Sequence, residues 1–359
     1  MIEPVSLPVR RPIGGLLASA LLALTTACSG QALLGALPDW PVAGWEARAH
    51  GPGVLYANNF SDPERDFYPH LWPDPARERR ASAFDEQVQA SGRGSLRFDI
   101  LPLSGEGFGG ELAISLGDDP ARQFGAGDEL WVQWRQRFDA YLLTHRYRVS
   151  QGQGQWKQLI ISQGQLPGQS RWDTRSCSEN QVVVTNAGGR GYPQAYHGCW
   201  VYLNIQSNNG RAISRMNFGQ EQALSWPCQY HPPRGEDSAC FRYRPDQWMT
   251  FMVHLKIGQP GRAVSSLSGK LENGFVDSVY ELYGAYEGGV LRLLHRQSGI
   301  VLRRGNYRDD PHDASHRARY GMFRFLPHIS YKDGSEDHPV ASTWYDEIII
   351  SRQAIPAPP

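Results

Sequence analysis

The stretch "QWMTFMVHLKIG", residues 247–258, splits cleanly when read with a period of two. Met249, Phe251, Val253, Leu255 and Ile257 fall on one side, and Trp248, Thr250, Met252, His254 and Lys256 on the other. Successive strand residues point to opposite faces of a sheet. The stretch therefore reads as a strand with one oily face and one mixed face that carries a histidine and a lysine.

Working outward, short runs of the same kind recur between turn clusters. They are "GVLYANNF", "GSLRFDIL", "GELAISL", "DELWVQWRQRFD", "QWKQLIISQ", "NQVVVTN" and "CWVYLNIQ", then "GFVDSVYELYGAY", "GVLRLLHRQ", "RYGMFRFLPHIS" and "STWYDEIIIS". About a dozen strands without crossover helices imply an all-β, antiparallel two-sheet sandwich or barrel. "DPARERRASAFDEQVQA" is the best helical candidate, and it is short and polar. No internal repeat is visible, which argues against a propeller. The expected organisation is a signal over 1–28, a flexible tether over 29–50, one domain over 51–354 and a tail over 355–359. The long loop from Ser207 to Arg244 reads as ordered and functional.

The chain has 359 residues, with 36 Lys+Arg and 36 Asp+Glu. That neutral balance argues against a nucleic-acid binder, whose affinity rests on neutralising phosphates. It leaves room for a local basic patch facing an acidic substrate. Glycine (38), proline (25), tryptophan (11) and tyrosine (16) favour turns, strands and aromatic-lined surfaces.

Near the N-terminus, Arg10 and Arg11 precede "PIGGLLASALLALTTACSG". The apolar run is too short and too rich in small residues for a membrane span. It resembles a bacterial lipoprotein signal, in which Cys28 becomes lipidated and leads the mature chain; plain secretory cleavage is the alternative. Membrane attachment is then expected only through Cys28, and the location is outer-membrane, periplasmic or secreted. Four cysteines remain, Cys177, Cys199, Cys228 and Cys240. An even count in an exported chain reads as two disulfides, with three pairings open. Cys177–Cys199 and Cys228–Cys240 are favoured because near neighbours close small loops. No Cys-x-x-Cys pair supports zinc.

Several strands share the mixed face of the opening stretch. Trp131, Gln133, Arg135 and Arg137 line up in "WVQWRQRF", and Trp200, Tyr202, Asn204 and Gln206 in "CWVYLNIQ". Tyr320 and Arg324 share a side in "YGMFRFL". "WKQLIIS" is less decisive, with Gln158 and Ser162 on one face and Lys157 on the other. Aromatics stack on sugar rings, while amides and guanidinium groups bond hydroxyls and carboxylates. The mixture suits a sugar polymer better than a plain wetted sheet face.

"QWMTFMVHLKIG", "GFVDSVYELYGAYEGG", "YGMFRFLPHISYKDG" and "TWYDEIIIS" follow an order that resembles the concanavalin A-like jelly roll of polysaccharide lyases, of the glucuronan-lyase and heparin-lyase types. "WKQ", "YPQAYHGC" and "WYDEIIIS" are also shared by a group of bacterial and phage proteins. The resemblance implies β-elimination on a uronic acid-containing, acidic polysaccharide. That reaction needs a neutralised carboxylate, a base for the C5 proton and an acid for the leaving oxygen. The implied clamp is Arg135, Arg137 or Arg324, assisted by Gln158. The implied acid is Tyr320 or Tyr202, and the base His254 or His197. Gln133, Asn204, Lys256 and Trp200 complete the implied substrate-binding set. On this reading Arg135→Ala abolishes turnover and leaves the fold intact. A lectin-like lipoprotein that binds the same sugars without cleaving them is the alternative.

"GGELAIS" has Gly109 where the alginate-lyase "Arg-x-Glu-Leu" strand carries arginine, and "KQLIIS" lacks a "Gln-Ile-His" motif. Asp346 and Glu347 are adjacent, hence expected on opposite faces, and so do not form a glycosidase pair. No "Gly-x-Ser-x-Gly" elbow is present. "DPHDASHRARY", with His312, Asp313 and His316, reads as a polar loop. A structural calcium ion near "KDGSED" is compatible with the sequence, although no calcium-loop signature is present. No other cofactor is implied.

Overall fold

The computed structural model describes residues 40–66, 81–107, 109–151, 154–174, 178, 180–187, 191–198, 217–219, 240–264, 271–303 and 319–359. The chain separates into two units, Met1–Gly35 and Ala36–Pro359, and every described residue belongs to the second. Among the described residues no helix is long and apolar enough to cross a membrane.

The second unit is an all-β, antiparallel two-sheet sandwich of the jelly-roll type. Its strands are β1 (Val54–Asn58), β2 (Ser82–Asp85), β3 (Ser95–Ile100), β4 (Leu112–Ser115) and β5 (Glu129–Phe138). Next come β6 (Gln155–Gln163), β7 (Val182–Ala187), β8 (Gln194–His197), β9 (Asn217–Gly219) and β10 (Met249–Lys256). The last are β11 (Gln259–Val264), β12 (Leu271–Tyr286), β13 (Arg292–Arg303), β14 (Tyr320–Phe325) and β15 (Ala341–Ser351). One sheet runs β11-β12-β10-β5-β15-β3-β2, with β1 paired to β15 and β13 to β12. The other runs β4-β14-β6-β7-β8-β9. Within the described part of the expected helix, residues 81–90, Ser82–Asp85 form instead a strand paired with Ser95–Phe98. Pairing with Leu96 and Phe98 of β3, both in the core, gives it a face to pack, which outweighs its weak local helical preference.

β10 lies at the centre of the first sheet, between β5 and β12. Its oily side enters the shared core, where Phe251 stacks on Trp134 at 5.4 Å. The glycine that ends the opening stretch is sterically required. A Cβ on Gly258 would stand 1.7 Å from the Val276 carbonyl oxygen, where the chain turns back against β12.

Register shifts govern which residues face where, among them those in β6 and β15. In β6, Lys157 pairs with Thr185 and Leu159 with Val184, so Gln158 is an inserted residue. Trp156, Leu159 and Ile161 all enter the core. The insertion turns Gln158 inward and leaves Lys157, Ile160 and Ser162 on the outer side. In β15 the register slips between Asp346 and Ile349, with Glu347 in the left-handed region at φ 47°. Tyr345 and Ile348 enter the core on either side of the two carboxylates. Asp346 and Glu347 therefore share the outer side, contrary to the simple alternation expected of neighbours.

Gln158 joins the sheets through polar contacts inside the core. Its amide donates to Gln136 Oε1 at 2.8 Å, and its own Oε1 accepts from Tyr243 at 2.6 Å. Gln136 also accepts from the Trp134 indole and donates to Thr343 Oγ1 at 2.9 Å. A buried polar group costs little when bonded and far more when orphaned.

The outer side of the first sheet is covered by the chain's own ends. Trp40 and Trp45 from one end and Ile355 and Ala357 from the other pack on Trp131, Met252, Tyr283 and Ile349. Val42 bridges to Ala357, and the helix Trp45–Ala49 delivers Arg48 into the interface. Residues 40–50, expected in a tether, and 355–359, expected as a tail, are thus part of the folded body. Arg48 pairs with Glu347 and donates to Gln133 Oε1 at 2.7 Å. Both ion-pair partners are almost wholly buried, so removing one leaves an uncompensated charge.

Arg48→Met is expected to lower unfolding free energy by about 3–5 kcal/mol in urea titration, since Glu347 keeps only a distant cation. Gln158→Ala is expected to cost about 2–4 kcal/mol, because Tyr243 and Gln136 each lose a buried bond and a cavity opens. A loss below about 0.5 kcal/mol in either variant contradicts the corresponding network.

Candidate functional site

The sequence-derived constellation does not assemble on one surface. Arg135 and His254 stand on the outer side of the first sheet, and Arg324 belongs to the second sheet. Tyr202, Trp200, Asn204, Cys28, Cys177, Cys199 and Cys228 lie outside the described residues, and the disulfide pairing lies there with them. Cys240 is buried beside Tyr192.

The residues of the first sheet are engaged in structure. His254 stacks on Trp131 with centroids 3.8 Å apart, between Glu281 at 2.7 Å and Glu129 at 3.2 Å. Gln133 is fully buried, accepts from Arg48 and donates to the Pro356 carbonyl at 2.9 Å. Arg135 is buried between Glu287 at 3.5 Å and Glu347 at 3.9 Å. Its replacement by alanine therefore disturbs a buried charge network, and the expectation of an intact fold is withdrawn. Arg137 is half-buried against Asp246 and Trp344. Lys256 is exposed beside Glu129. Asp346 accepts N–H bonds from Ala90 and Ser91, yet burial pushes its carboxyl up to about 8.

Three further expectations change for the same reason, burial in the core. Tyr320 is fully buried, and burial drives its phenol far above the usual range, so it does not reach a surface substrate as an acid. His197 is buried on the strand side that carries Ala195 into the core. Gln158 points into the core, as described above.

The six-stranded sheet presents a different set on its outer side. Cross-strand registers define one row of His328, Lys157, Thr185 and Gln194; His328 joins it through its carbonyl, which accepts the Lys157 N–H at 3.0 Å. A neighbouring row holds Arg324, Ile160, Val183 and Tyr196. Leu326 packs with Ile160, Val183 and Tyr196 on this side. Strands are spaced about 4.8 Å, so Lys157 and Gln194 stand roughly 10 Å apart with the short Thr185 between them.

Charge is concentrated at one end of these rows. His328 Nε2–H donates to Glu106 Oε1 at 3.0 Å, and Glu106 Oε2 accepts the Tyr331 N–H at 3.0 Å. Arg324, buried, pairs with Glu111 and donates to the carbonyl and hydroxyl of Thr174, both at 2.8 Å. Arg324 is thereby committed to the protein and does not serve as a free carboxylate clamp. Lys157 feels both Glu106 and Glu111. Burial nonetheless dominates and lowers its amine to about 8, against the pull of the two carboxylates. Burial likewise lowers the His328 imidazole, opposed by its bond to Glu106. The result is two nitrogens of weakened basicity in one cross-strand row, Lys157 on β6 and His328 just after β14.

Lys157, His328, Gln194 and Tyr196 were missed as a set. Lys157 appeared on the less decisive face of "WKQLIIS", and Tyr196 beside His197 in "YPQAYHGCW". The bulge after Lys157 was the missing signal. Among the described residues no group of three or more His, Cys, Asp or Glu is placed to hold a metal. In "KDGSED", Asp333 accepts from Ser335, and Glu336 pairs with His145 and the Arg148 N–H.

No family model matches the chain, and no curated relative matches it. Solved structures are similar to it in fold. The endo-β-1,4-glucuronan lyase from the fungus Trichoderma reesei has a TM-score of 0.44 and 9% identity, covering 83% of this chain and 95% of that one. The marine PL-14 alginate lyase from Aplysia kurodai has a TM-score of 0.44 and 12% identity, covering 84% and 99%. The alginate lyase Aly36B has a TM-score of 0.37 and 14% identity, covering 90% and 99%. Likeness at this level assigns no role to any residue of this chain.

Proposed function

We propose that this protein cleaves a uronic acid-containing polysaccharide by β-elimination on the outer side of the six-stranded sheet. One observation carries the reading. A partly buried lysine, lowered to about 8, shares a cross-strand row with a histidine and a glutamine, and a tyrosine stands in the next row. β-Elimination needs a weak base beside an amide or cation for the carboxylate, and an acid on the leaving side. Lys157, as the neutral amine, takes the proton from C5. The electron pair forms the C4–C5 double bond, and the C4–oxygen bond breaks. The Tyr196 phenol protonates the departing oxygen and regains a proton from solvent, to which the Lys157 ammonium releases the proton it took.

Export with lipidation at Cys28 belongs to the same proposal, supported by the N-terminal pattern alone. In a bacterial host, Cys28→Ser is expected to move the protein from the membrane fraction to the soluble one. An unchanged distribution removes the anchor.

Incubation with a panel of uronic polysaccharides is expected to produce the ultraviolet absorbance of unsaturated chain ends. Binding without that absorbance supports a lectin-like protein, and neither result rejects both. Lys157→Met is expected to lower turnover by about 10²–10⁴-fold with the circular dichroism spectrum unchanged. The working form is the neutral amine, so the rate is expected to rise with pH and level off above about 8. A rate that falls through that range contradicts Lys157 as the base.

A further inference from the structure

Lys157 is surrounded by charge on one side of the sheet. Among the described residues, the groups that face it are Glu106 from the loop after β3, Glu111 before β4, Arg324 on β14 and His328 just after β14. Its cross-strand neighbours on β7 and β8, Thr185 and Gln194, are neutral, as is the Tyr196 phenol in the next row. A lysine beside two unpaired carboxylates holds its proton firmly, since each opposite charge within about 4–6 Å favours the ammonium by roughly 1–3 pH units. Here neither carboxylate is unpaired. Glu106 is bonded by His328 and by the Tyr331 N–H. Glu111 is held by Arg324, which is itself anchored by two bonds to Thr174.

We propose that Arg324 is a positioning residue for Lys157: by pinning the Glu111 carboxylate between itself and the Thr174 anchor, it keeps that carboxylate from closing an ion pair with the Lys157 ammonium. The Glu106 carboxylate is likewise held, by His328 and by the Tyr331 N–H. Arg324 touches no reacting atom in this arrangement. This deepens the reading of Lys157 as the base and rests on it.

The test reads the Lys157 amine directly, without substrate. The protein is acylated with acetic anhydride across a pH series, and modification of Lys157 is followed by mass spectrometry. Arg324→Met is expected to raise the half-labelling pH of Lys157 by about one unit or more, because Glu111 is released and a repelling cation is lost. Glu111→Gln is expected to lower it. The double variant Arg324→Met/Glu111→Gln is expected to return it to within about half a unit of the native value, as coupled neighbours do. Should Arg324→Met fail to fold, the Glu111→Gln arm decides alone, with circular dichroism as the check on its fold. A half-labelling pH that stays put in Glu111→Gln, or an Arg324→Met shift that the second substitution does not reverse, overturns the proposal. If the native protein is inert on every polysaccharide, the functional reading falls, whereas the labelling shifts still judge the charge arrangement.

Discussion

The arrangement of this protein depends on one extra residue in β6. A regular strand through "WKQLIIS" would alternate without interruption and would put Lys157 and Leu159 on the same face. The inserted Gln158 breaks that alternation. It turns an amide into the core, where Gln136 and Tyr243 satisfy it, and it holds Lys157 outside beside His328. The same bulge thus ties the two sheets together and creates the only row among the described residues in which a lysine with a lowered pKa meets an imidazole. A bulge of this kind re-aims side chains at little energetic cost, provided that the inserted residue finds partners.

The second bulge, at Glu347, works in the opposite direction. It brings Asp346 and Glu347 to one side of β15, where they would repel each other if left alone. Arg48 and Arg135 supply the compensating charges, and backbone N–H groups of Ala90 and Ser91 bond Asp346. The part of the first sheet's outer side around Trp131, Gln133 and Tyr283 is consequently an internal interface with residues 40–50 and 355–359. Its composition resembles a ligand-binding surface because both have the same physical requirement. A partly apolar surface must be covered while a few charges are bonded in fixed directions, and Trp, Gln, Arg and His meet that need for a protein segment as well as for a sugar.

The six-stranded sheet solves a different electrostatic problem. Burial of Lys157 favours the neutral amine, and the nearby carboxylates favour the ammonium. Their influence is blunted because each has its own cation or N–H donors. The balance is therefore set by pairings one step removed from the lysine. Likeness in fold to glucuronan and alginate lyases accompanies this arrangement without supplying it, since the residues concerned were identified from their registers and contacts.

The strands themselves were legible in the sequence. Period-two alternation is a local property, and the oily residues of "QWMTFMVHLKIG" and "DELWVQWRQRFD" enter the core as that alternation requires. The all-β class and the antiparallel pairing follow from the same local signal, since short strands without crossover helices leave few other solutions. Among the described strands, alternation also separated the two sides wherever the register is unbroken; in β14 the shift between Tyr320 and Met322 sends Tyr320 into the core with Phe323, away from Arg324. What it could not state is what lies across from a polar side. Gln133 is covered because residues 40–50 and 355–359 fold back over it, a contact between chain segments some three hundred positions apart, and His254 is covered because it stacks on Trp131 between Glu281 and Glu129. Lys157 and Tyr196 reached the same side of the sheet only through strand order and a one-residue slip, which leave no mark on composition or period. Local periodicity decided which residues are strands and which side is greasy; long-range packing, of which periodicity carries no record, decided which polar residues are sealed, as Gln133 is by residues 40–50 and 355–359.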